Sequence, residues 1–287
     1  INFFKKKYKK SNLKLIKGDT QNLGKIFRAL KDSDMVVHLA ELVGDPLCEK
    51  RPEKTYTINF LATSLIGNIC KNLGINKFIY VSSCSVYGAS KNLSNETSKI
   101  NPLSIYAKLK TLCEKNFIRN LGEGNRPCIL RLGTVYGLSD RPRYDLVINL
   151  FSGLAANKKE ITINGGDQWR PFIHVSDVCN AIVNIIKDKE KNFNGQVINL
   201  VSENIQIKKI GSMIKKLYPK TKIKFDDKVT DKRDYKVSNM KAKKLINFKP
   251  QYNIATGIKE IVNFTKKNKI KNIFNKKFIK ILNYKKF

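Results

Sequence analysis

The amino-acid sequence predicts an α/β fold: a doubly wound parallel sheet joined to a smaller α/β domain. Short apolar runs rich in β-branched residues alternate with segments of helical periodicity through the first two thirds of the chain, a pattern typical of βαβ units. The length of 287 residues is room for one large domain or two of ordinary size. The composition, 41% hydrophobic and 28% charged, is that of a globular protein. No apolar run approaches the ~18 residues that would span a bilayer.

The individual elements follow from the apolar pattern and from the residues that bound each segment. Strands are predicted over five short β-branched runs: residues 13–17, 35–39, 77–82, 128–132 and 197–201. Helices are predicted over three segments of helical spacing: residues 57–73, 104–121 and 175–187. Gly74 and Gly122 end the first two helices, and Ser104 is placed to cap the second after Pro102.

The elements divide the chain into two domains and a tail. Residues 1–140, rejoined by residues 174–202, are predicted to form the domain that contains the parallel sheet. Residues 141–173 and 203–265 have less regular patterns and are predicted to form the smaller domain.

The tail, residues 266–287, has the pattern of a basic amphipathic helix. One face carries apolar residues: Ile270, Ile273, Phe274, Phe278, Ile281 and Leu282. Lysines lie mostly away from that face. Such a helix can rest on anionic lipid, dock on its own domain or on a partner, or remain solvated. Peripheral membrane contact is the less favoured of these interpretations.

The net charge of the chain is far from zero. Lysine and arginine total 56 and acidic residues 23, which gives +33. Such an excess is typical of nucleic-acid and anionic-membrane binders. However, nine of the 56 basic residues are arginine, the residue preferred for base edges and bidentate phosphate contacts. The abundance of lysine, asparagine and isoleucine instead indicates the codon bias of an AT-rich genome, and no nucleic-acid partner is predicted.

The six cysteines form neither a CxxC pair nor a cluster with histidine at metal-ligand spacing. This pattern argues against structural zinc and against a disulfide framework. We therefore predict no metal site, and the reducing cytoplasm is the expected compartment.

Candidate catalytic residues come from the segments that follow the predicted strands, because parallel sheets bind ligands at the carboxyl ends of their strands. Serines follow the strand at 77–82, and Ala40-Glu41 follow the strand at 35–39. A tyrosine and a lysine four residues apart lie on one helix face, and three such pairs occur: Tyr87/Lys91, Tyr106/Lys110 and Tyr218/Lys222. Only Tyr106/Lys110 lies within a predicted helix, downstream of the strand that ends in serines.

This pair has the chemistry of a general base. A free tyrosine has a pKa of about 10. A cation about 4 Å away, at an effective dielectric constant of ~20, favours the phenolate by ~4 kcal/mol. We therefore expect Lys110 to lower the pKa of Tyr106 to about 7, where a general base is most effective. Ser83 can hydrogen-bond the same substrate oxygen. The alternative is a solvated lysine beside a half-buried tyrosine.

The order of these motifs resembles the extended short-chain dehydrogenase/reductase family, in its nucleotide-sugar epimerase/dehydratase branch. The resemblance covers most of the chain. It is carried by Lys17-Gly18-Asp19, residues 34–40 (DMVVHLA), Asn59, Val81-Ser82-Ser83, Val86-Tyr87-Gly88, Pro102-Leu103-Ser104 before Tyr106-Ala107, Leu130-Arg131, Val135-Tyr136-Gly137, residues 169–177 (WRPFIHVSD) and Arg233-Asp234-Tyr235. The family fold is Rossmann-like, so the first domain would bind the dinucleotide NAD and the second the substrate.

The resemblance also implies residue roles. Ser83, Tyr106 and Lys110 would be the catalytic triad. Asp19, Leu39, Ala40, Asn59, Ser82, Tyr106 and Lys110 would bind NAD, and Asp19 would hydrogen-bond the adenine. Ser83, Ser85, Thr134, Arg170 and Arg233 would bind a nucleotide-diphosphate sugar, with the arginines on its diphosphate. His174 is expected to be structural. A homodimer in nucleotide-sugar metabolism and polysaccharide biosynthesis is also implied.

The sequence departs from the family pattern at three places. The GxxGxxG loop that holds the NAD pyrophosphate, and the acidic residue that holds the adenine ribose, are missing. The chain is therefore expected to be an N-terminally incomplete sequence or a decayed gene product. Cys84-Ser85 stand where 4,6-dehydratases carry Asp-Glu, which disfavours dehydration. Thr134 stands where many 4-epimerases carry Asn, which leaves the sugar open.

The predicted activity is NAD-dependent epimerisation of a nucleotide-diphosphate sugar through a transient keto intermediate. Two alternatives stay open. One is an NAD(P)-dependent nucleotide-sugar reductase or dehydrogenase that uses the same triad. The other is an inactive truncated paralogue that binds a partner or a membrane through residues 266–287.

Overall fold

The secondary structure is given by a computed structural model that describes residues 13–122, 126–188, 193–227, 231–275 and 277–279. The strands are β1 Met35–His38, β2 Lys77–Ser83, β3 Ala89–Ser94, β4 Cys128–Leu132, β5 Thr134–Tyr136, β6 Ile161–Asn164, β7 Trp169–His174, β8 Val197–Leu200, β9 Glu203–Gln206, β10 Ile223–Asp226 and β11 Asp234–Val237. The α-helices are α1 Leu23–Leu30, α2 Asp45–Lys50, α3 Pro52–Tyr56, α4 Thr63–Asn72, α5 Ile105–Asn120, α6 Val147–Ala156, α7 Val175–Lys187, α8 Ile207–Leu217, α9 Met240–Ile246 and α10 Ile254–Lys267. A π-helix, Thr57–Ala62, joins α3 to α4, and a 3-10 helix, Cys84–Tyr87, follows β2.

The first domain is built on a four-stranded parallel sheet in the order β1-β2-β4-β8. One face of the sheet packs against α4 and α5 through a cluster that includes Ile66, Phe78 and Phe117. The other face packs against α7 and α9 through a cluster that includes Ile79 and Ile185. Helices on both faces of a parallel sheet confirm the doubly wound α/β fold.

The second domain has its own core and two small sheets beside it. Its buried cluster joins α6, α8 and α10 to β6, and includes Ile148, Ile210 and Ile258. Strands β6 and β10 pair in parallel, while β7 lies between parallel β5 and antiparallel β9. Helix α9, within the segment predicted for this domain, packs instead on the sheet of the first domain through Ala242 and Ile246.

Most predicted elements of the first domain are confirmed within one or two residues. The predicted helix at 57–73 begins with the π-helix and continues as α4. The helix at 104–121 is α5, and the Ser104 hydroxyl accepts a hydrogen bond from the Ala107 amide at 3.2 Å, as expected of an N-cap. The predicted helix at 175–187 is α7.

The strand predicted over residues 13–17 is wrong. The segment is irregular, and the side chains of Leu13, Leu15 and Ile16 are exposed. Within the described residues, no strand pairs with it. A strand needs a neighbour for its backbone hydrogen bonds, and an apolar pattern alone does not supply that neighbour.

The helix predicted for the tail is not formed over residues 268–275. Helix α10 ends at Lys267, and the residues that follow form turns. Ile270, Ile273 and Phe278 pack on the core of the second domain, so this part of the tail docks on its own domain. Ile281 and Leu282 lie outside the described residues. None of the described helices is long and apolar enough to cross a membrane.

Phe117 tests the packing of α5 on the sheet. Its ring is fully buried and meets the rings of Phe78 and Tyr80 edge-on, with centroids 5.4 and 5.1 Å away. We expect Phe117→Ala to lower the free energy of unfolding by about 3–5 kcal/mol, because it leaves a cavity. Urea denaturation measures this loss. Ile118→Ala, on the exposed neighbour, should cost less than about 1 kcal/mol; equal losses would contradict this account.

Candidate active site

A cavity of about 650 Å³ lies at the carboxyl ends of β1, β2 and β4, where parallel sheets bind ligands. Its lining comes from residues between 39 and 135 and from residues between 143 and 235. The lining includes all seven residues assigned to catalysis and substrate: Ser83, Ser85, Tyr106, Lys110, Thr134, Arg170 and Arg233. The structure therefore brings together residues that are up to 150 positions apart in the sequence.

The three predicted catalytic residues meet in this cavity. Ser83 ends β2, and Tyr106 and Lys110 lie one turn apart on α5. Ser83 hydrogen-bonds the Tyr106 hydroxyl, and the Ser83 hydroxyl accepts a hydrogen bond from the Ser85 amide at 3.1 Å. The Lys110 ammonium lies 5.7 Å from the centre of the Tyr106 ring.

Lys110 is paired with a carboxylate that the sequence analysis assigned no role. Its Nζ lies 2.5 Å from Oε2 of Glu41, and the two side chains are 4% and 3% exposed. The same ammonium donates to the carbonyl oxygen of Val81. The other carboxylate oxygen of Glu41 accepts a hydrogen bond from the Tyr80 hydroxyl at 3.0 Å. Lys110 is thus held in a buried ion pair.

This pair changes the expected ionisation of Tyr106. Burial, with a further contribution from Glu41, raises the pKa of the Tyr106 phenol well above its usual value of 10, while the Ser83 hydrogen bond opposes the rise. The expectation that Lys110 would lower this pKa to about 7 is therefore wrong. The positive charge of Lys110 is compensated by Glu41, a residue that follows β1 and is distant in sequence.

A second buried ion pair lies one turn further along α5. Glu114 receives hydrogen bonds from the Arg131 guanidinium, with 2.6 Å to its Nη2, and from the Ser82 hydroxyl at 2.5 Å. Arg131 also donates to the Tyr87 hydroxyl, which in turn donates to Asn199 at 2.9 Å. Ser82 borders the cavity, but its hydroxyl donates its hydrogen bond to Glu114.

The two predicted diphosphate-binding arginines share one carboxylate. Asp231 lies 3.0 Å from Nη2 of Arg170 and 2.6 Å from Nη2 of Arg233. Both arginines lower the pKa of Asp231 far below its usual range, against the opposing effect of burial. Arg233 also pairs with Asp45 at 2.8 Å, and Asp45 accepts a hydrogen bond from the Ser104 hydroxyl at 2.7 Å.

The cavity lining has a polar group without a partner among the described residues. The Ser85 hydroxyl is buried and makes no hydrogen bond to them, although Ser85 lines the cavity. Thr134, at the start of β5, also lines the cavity and is half-buried. The Ser85 hydroxyl is thus available to bind a ligand.

Four further residues assigned to NAD by resemblance differ in their surroundings. Leu39 borders the cavity and is 62% exposed, while Ala40 is exposed and outside the lining. Asp19 is exposed and accepts a hydrogen bond from the Gln21 amide at 2.9 Å. The Asn59 amide group is buried and hydrogen-bonds both the amide and the carbonyl of Leu42, at 2.9 and 2.8 Å.

The position of His174 agrees with the structural role expected for it. Its Nδ1 accepts a hydrogen bond from the Ser176 amide and so caps α7. Its Nε2 lies 3.0 Å from Glu260, and its ring stacks on Tyr252 with centroids 4.2 Å apart.

Three acidic residues of the site were not predicted from the sequence: Glu41, Asp45 and Asp231. Glu41 had a detectable signal, because it follows a strand at the edge of the sheet where ligands bind. Asp231 had none, because its contact with Arg170 depends on packing between segments of the smaller domain that are 61 positions apart in the sequence.

The chain is similar in sequence and fold to known proteins. The sequence profile of the NAD dependent epimerase/dehydratase family matches residues 2–200. The chain is 30% identical to a UDP-glucuronate 4-epimerase of Thermodesulfobacterium geofontis, over 91% of this chain and 81% of the relative. It is 29% identical to a mouse dTDP-D-glucose 4,6-dehydratase, over 90% and 76%. A UDP-glucuronic acid 4-epimerase from Bacillus cereus, in complex with UDP-glucuronic acid and NAD, superposes with a TM-score of 0.81 at 28% identity, over 92% and 85%.

His38, behind the Glu41–Lys110 pair, provides a pH test. The imidazole is buried, lies 2.8 Å from the Thr63 hydroxyl and stacks on Tyr80. Burial, and then the charge of Lys110, lower the pKa of His38 to about 4. The contribution of neutral His38 to the free energy of unfolding is therefore fully present above the unfolded pKa of ~6.5. It is lost as the pH falls from there to about 4, and the loss amounts to up to about 3 kcal/mol.

NMR titration of the two imidazoles measures this directly, because the chain has two histidines. The signal that is missing in His38→Gln should titrate near pH 4, and that variant should lose less stability between pH 7 and pH 4.5 in urea denaturation. Titration of His38 near 6.5 would show that the imidazole is solvated.

Proposed function

The chain belongs to the NAD dependent epimerase/dehydratase family, and from this premise we propose that it epimerises a nucleotide-diphosphate sugar with NAD as cofactor. One observation carries the proposal: a single cavity holds Ser83, Tyr106 and Lys110 together with Arg170 and Arg233. The first group suits oxidation of a sugar hydroxyl and the second suits a diphosphate. The UDP-glucuronic acid and NAD bound to the Bacillus cereus epimerase support the same substrate class.

The described residues fit the nicotinamide riboside end of NAD. The Tyr106 hydroxyl and the Lys110 ammonium are hydrogen-bond donors for ribose hydroxyls, and Leu39, Val81 and Leu132 provide apolar surface beside them. When bound, NAD supplies an acceptor and donor of hydride. The described residues contain no glycine-rich helix start for the pyrophosphate, so we assign residues at the nicotinamide end.

Tyr106 is the proposed acid and base. The raised pKa of Tyr106 belongs to the site without cofactor, and the positive charge of a bound oxidised nicotinamide ring would favour the phenolate. The phenolate would then take the proton of a sugar hydroxyl, and loss of hydride from the same carbon to the cofactor would give a keto sugar. Ser83, hydrogen-bonded to Tyr106, binds the same sugar oxygen and relays the proton. The keto sugar would present its other face, and Tyr106 would return the proton to the sugar oxygen as hydride is given back to the carbon. The net change would be inversion at one carbon, with no net oxidation or reduction.

Arg170 and Arg233 are the proposed diphosphate ligands. Guanidinium groups bind phosphate oxygens bidentately, and these two converge on the Asp231 carboxylate. A substrate diphosphate would replace Asp231 as their anionic partner. Ser85 and Thr134, which line the same cavity, are the proposed ligands of the sugar hydroxyls.

The surroundings of Cys84 and Ser85 disfavour 4,6-dehydration, despite the similarity to a dehydratase. The Cys84 thiol is fully buried and donates to the Arg131 carbonyl oxygen, and burial raises its pKa far above the usual value. It therefore cannot supply the acid that water elimination requires. A homodimer in the cytoplasm stays a prediction, which sedimentation equilibrium and fractionation can test.

Tyr106→Phe tests the mechanism. Loss of the acid–base hydroxyl should lower kcat by about 10²–10⁴-fold, measured by chromatography of UDP-glucose and UDP-glucuronic acid incubated with the enzyme and NAD. Tyr218→Phe, in another YxxxK sequence, is the matched control and should be near wild type. Near-wild-type turnover by Tyr106→Phe would exclude the mechanism. Net consumption of NAD(P)H would favour the reductase alternative.

Arg233→Ala tests the diphosphate site. Loss of charged hydrogen bonds worth about 1.5–3 kcal/mol should weaken UDP binding by about 10–100-fold, measured by calorimetry. Lys232→Ala removes the same charge from the exposed neighbouring residue and should change the affinity less than threefold, a small effect of screened surface charge. Equal losses would indicate a general effect of net charge.

A further inference from the structure

Glu41 is a buried carboxylate in the active site to which the proposed reaction assigns no direct step. It lies at the carboxyl end of β1, with Oε2 2.5 Å from the Lys110 ammonium and Oε1 3.0 Å from the Tyr80 hydroxyl. Its side chain is 3% exposed and borders the cavity. A carboxylate so deeply buried is costly unless it is paired, and here its partner is the proposed catalytic lysine.

The backbone beside Glu41 is fixed in place. The next residue, Leu42, is 1% exposed. Its amide and carbonyl are both hydrogen-bonded by the Asn59 side chain, and the Asn59 carbonyl accepts from the Cys113 thiol of α5. The Glu41 carboxylate is therefore held against α5 by the surrounding fold, and an excursion into solvent would disrupt these contacts.

The pair also orients Lys110. The ammonium contacts Glu41 and the Val81 carbonyl oxygen, and it lies 4.7 Å from the centre of the Tyr80 ring and 5.7 Å from that of Tyr106. These contacts place the cation between β2 and α5, next to the reacting phenol, and give it a negative neighbour.

Other titratable or charged groups also face this pair from the elements packed around it. Among the described residues, His38 of β1, Tyr80 of β2, and Tyr106 and Cys113 of α5 interact with Glu41 or Lys110. Asp45 and Cys48 of α2 act on Tyr106, and Glu114 of α5 acts on Cys113. Glu114 is paired with Arg131, and Asp45 with Arg233. Among the carboxylates of this group, Glu41 is the one paired with Lys110.

We propose that Glu41 is a positioning residue that holds the Lys110 ammonium, compensates its charge and thereby controls how readily Tyr106 gives up its proton. The inference rests on the proposed function, in which Tyr106 and Lys110 react as a pair. Its electrostatic direction agrees with the raised pKa of Tyr106, to which Glu41 contributes after burial. Replacing the carboxylate by an amide should make Tyr106 more acidic, since it removes a negative charge and leaves that of Lys110 uncompensated.

Glu41→Gln keeps the shape and a hydrogen-bonding group while it removes the charge. We expect the acid limb of the pH profile of kcat/KM to move down by about one pH unit or more. A residue that only supports the fold would lower the rate at every pH and leave the midpoint in place. Glu260→Gln is the matched control, because it removes a glutamate paired with His174 in the second domain, and its midpoint should equal that of the wild type.

A second readout follows the phenol itself, without cofactor or substrate. The protein is labelled with 3,5-difluorotyrosine, which ionises at lower pH than tyrosine, and Tyr106 is identified by the ¹⁹F signal missing in Tyr106→Phe. Its midpoint should fall by about one pH unit or more in Glu41→Gln and stay unchanged in Glu260→Gln. Unchanged midpoints in both readouts would overturn the inference.

Misfolding of Glu41→Gln, or turnover by Tyr106→Phe, would each still leave a measurement that tests Glu41. If Glu41→Gln does not fold by circular dichroism, Lys110→Met is compared with Glu41→Gln/Lys110→Met, because removing both charges of a buried pair is tolerated better than removing one. The double variant should then show the lower Tyr106 midpoint, and equal midpoints would overturn the inference. If Tyr106→Phe retains turnover, the proposed function fails, whereas the Tyr106 titration still reports on Glu41.

Discussion

The ion pair between Glu114 and Arg131 joins α5 to the sheet, and the geometry of the active site depends on it. Glu114 lies on α5 one turn after Lys110, and its carboxylate binds Arg131 of β4 and Ser82 of β2. Both charged side chains are almost fully buried. Breaking such a pair leaves an uncompensated buried charge, which costs about 3–5 kcal/mol. The pair therefore fixes the distance between the helix that carries Tyr106 and Lys110 and the strand that ends in Ser83.

The charge of the cavity differs from the charge of the chain. The whole sequence has a net charge of +33, but the cavity has four cationic side chains and four carboxylates: Lys110, Arg143, Arg170 and Arg233, with Glu41, Asp45, Asp145 and Asp231. The lysine excess is thus not concentrated where a substrate would bind. Each of these cations interacts mainly with its nearest carboxylate. At a few ångströms in a buried site, the Coulomb attraction between two charges is stronger than their interaction with distant charges that solvent and salt screen.

Residues from the second half of the chain also line the cavity. Strand β7 supplies Arg170, and Arg233 directly precedes β11. Strand β11 pairs in parallel with β3, close to the 3-10 helix that follows Ser83. Tyr235 and Val237 also pack on Cys84 and Tyr87. The pairing and this packing together hold Arg233 at a fixed distance from Ser83.

The sequence by itself determined the central elements of the first domain and the helix face shared by Tyr106 and Lys110. Hydrophobic periodicity is local, so β1, β2, β4, β8 and α7 could be predicted, and four-residue spacing on a helix places Tyr106 beside Lys110. Only the tertiary structure decided that residues 13–17 form no strand, that Asp231 bridges two arginines and that Glu41 compensates Lys110. The physical reason is that strand pairing and the ionisation of a buried group depend on neighbours from distant parts of the chain, and packing alone brings those neighbours together.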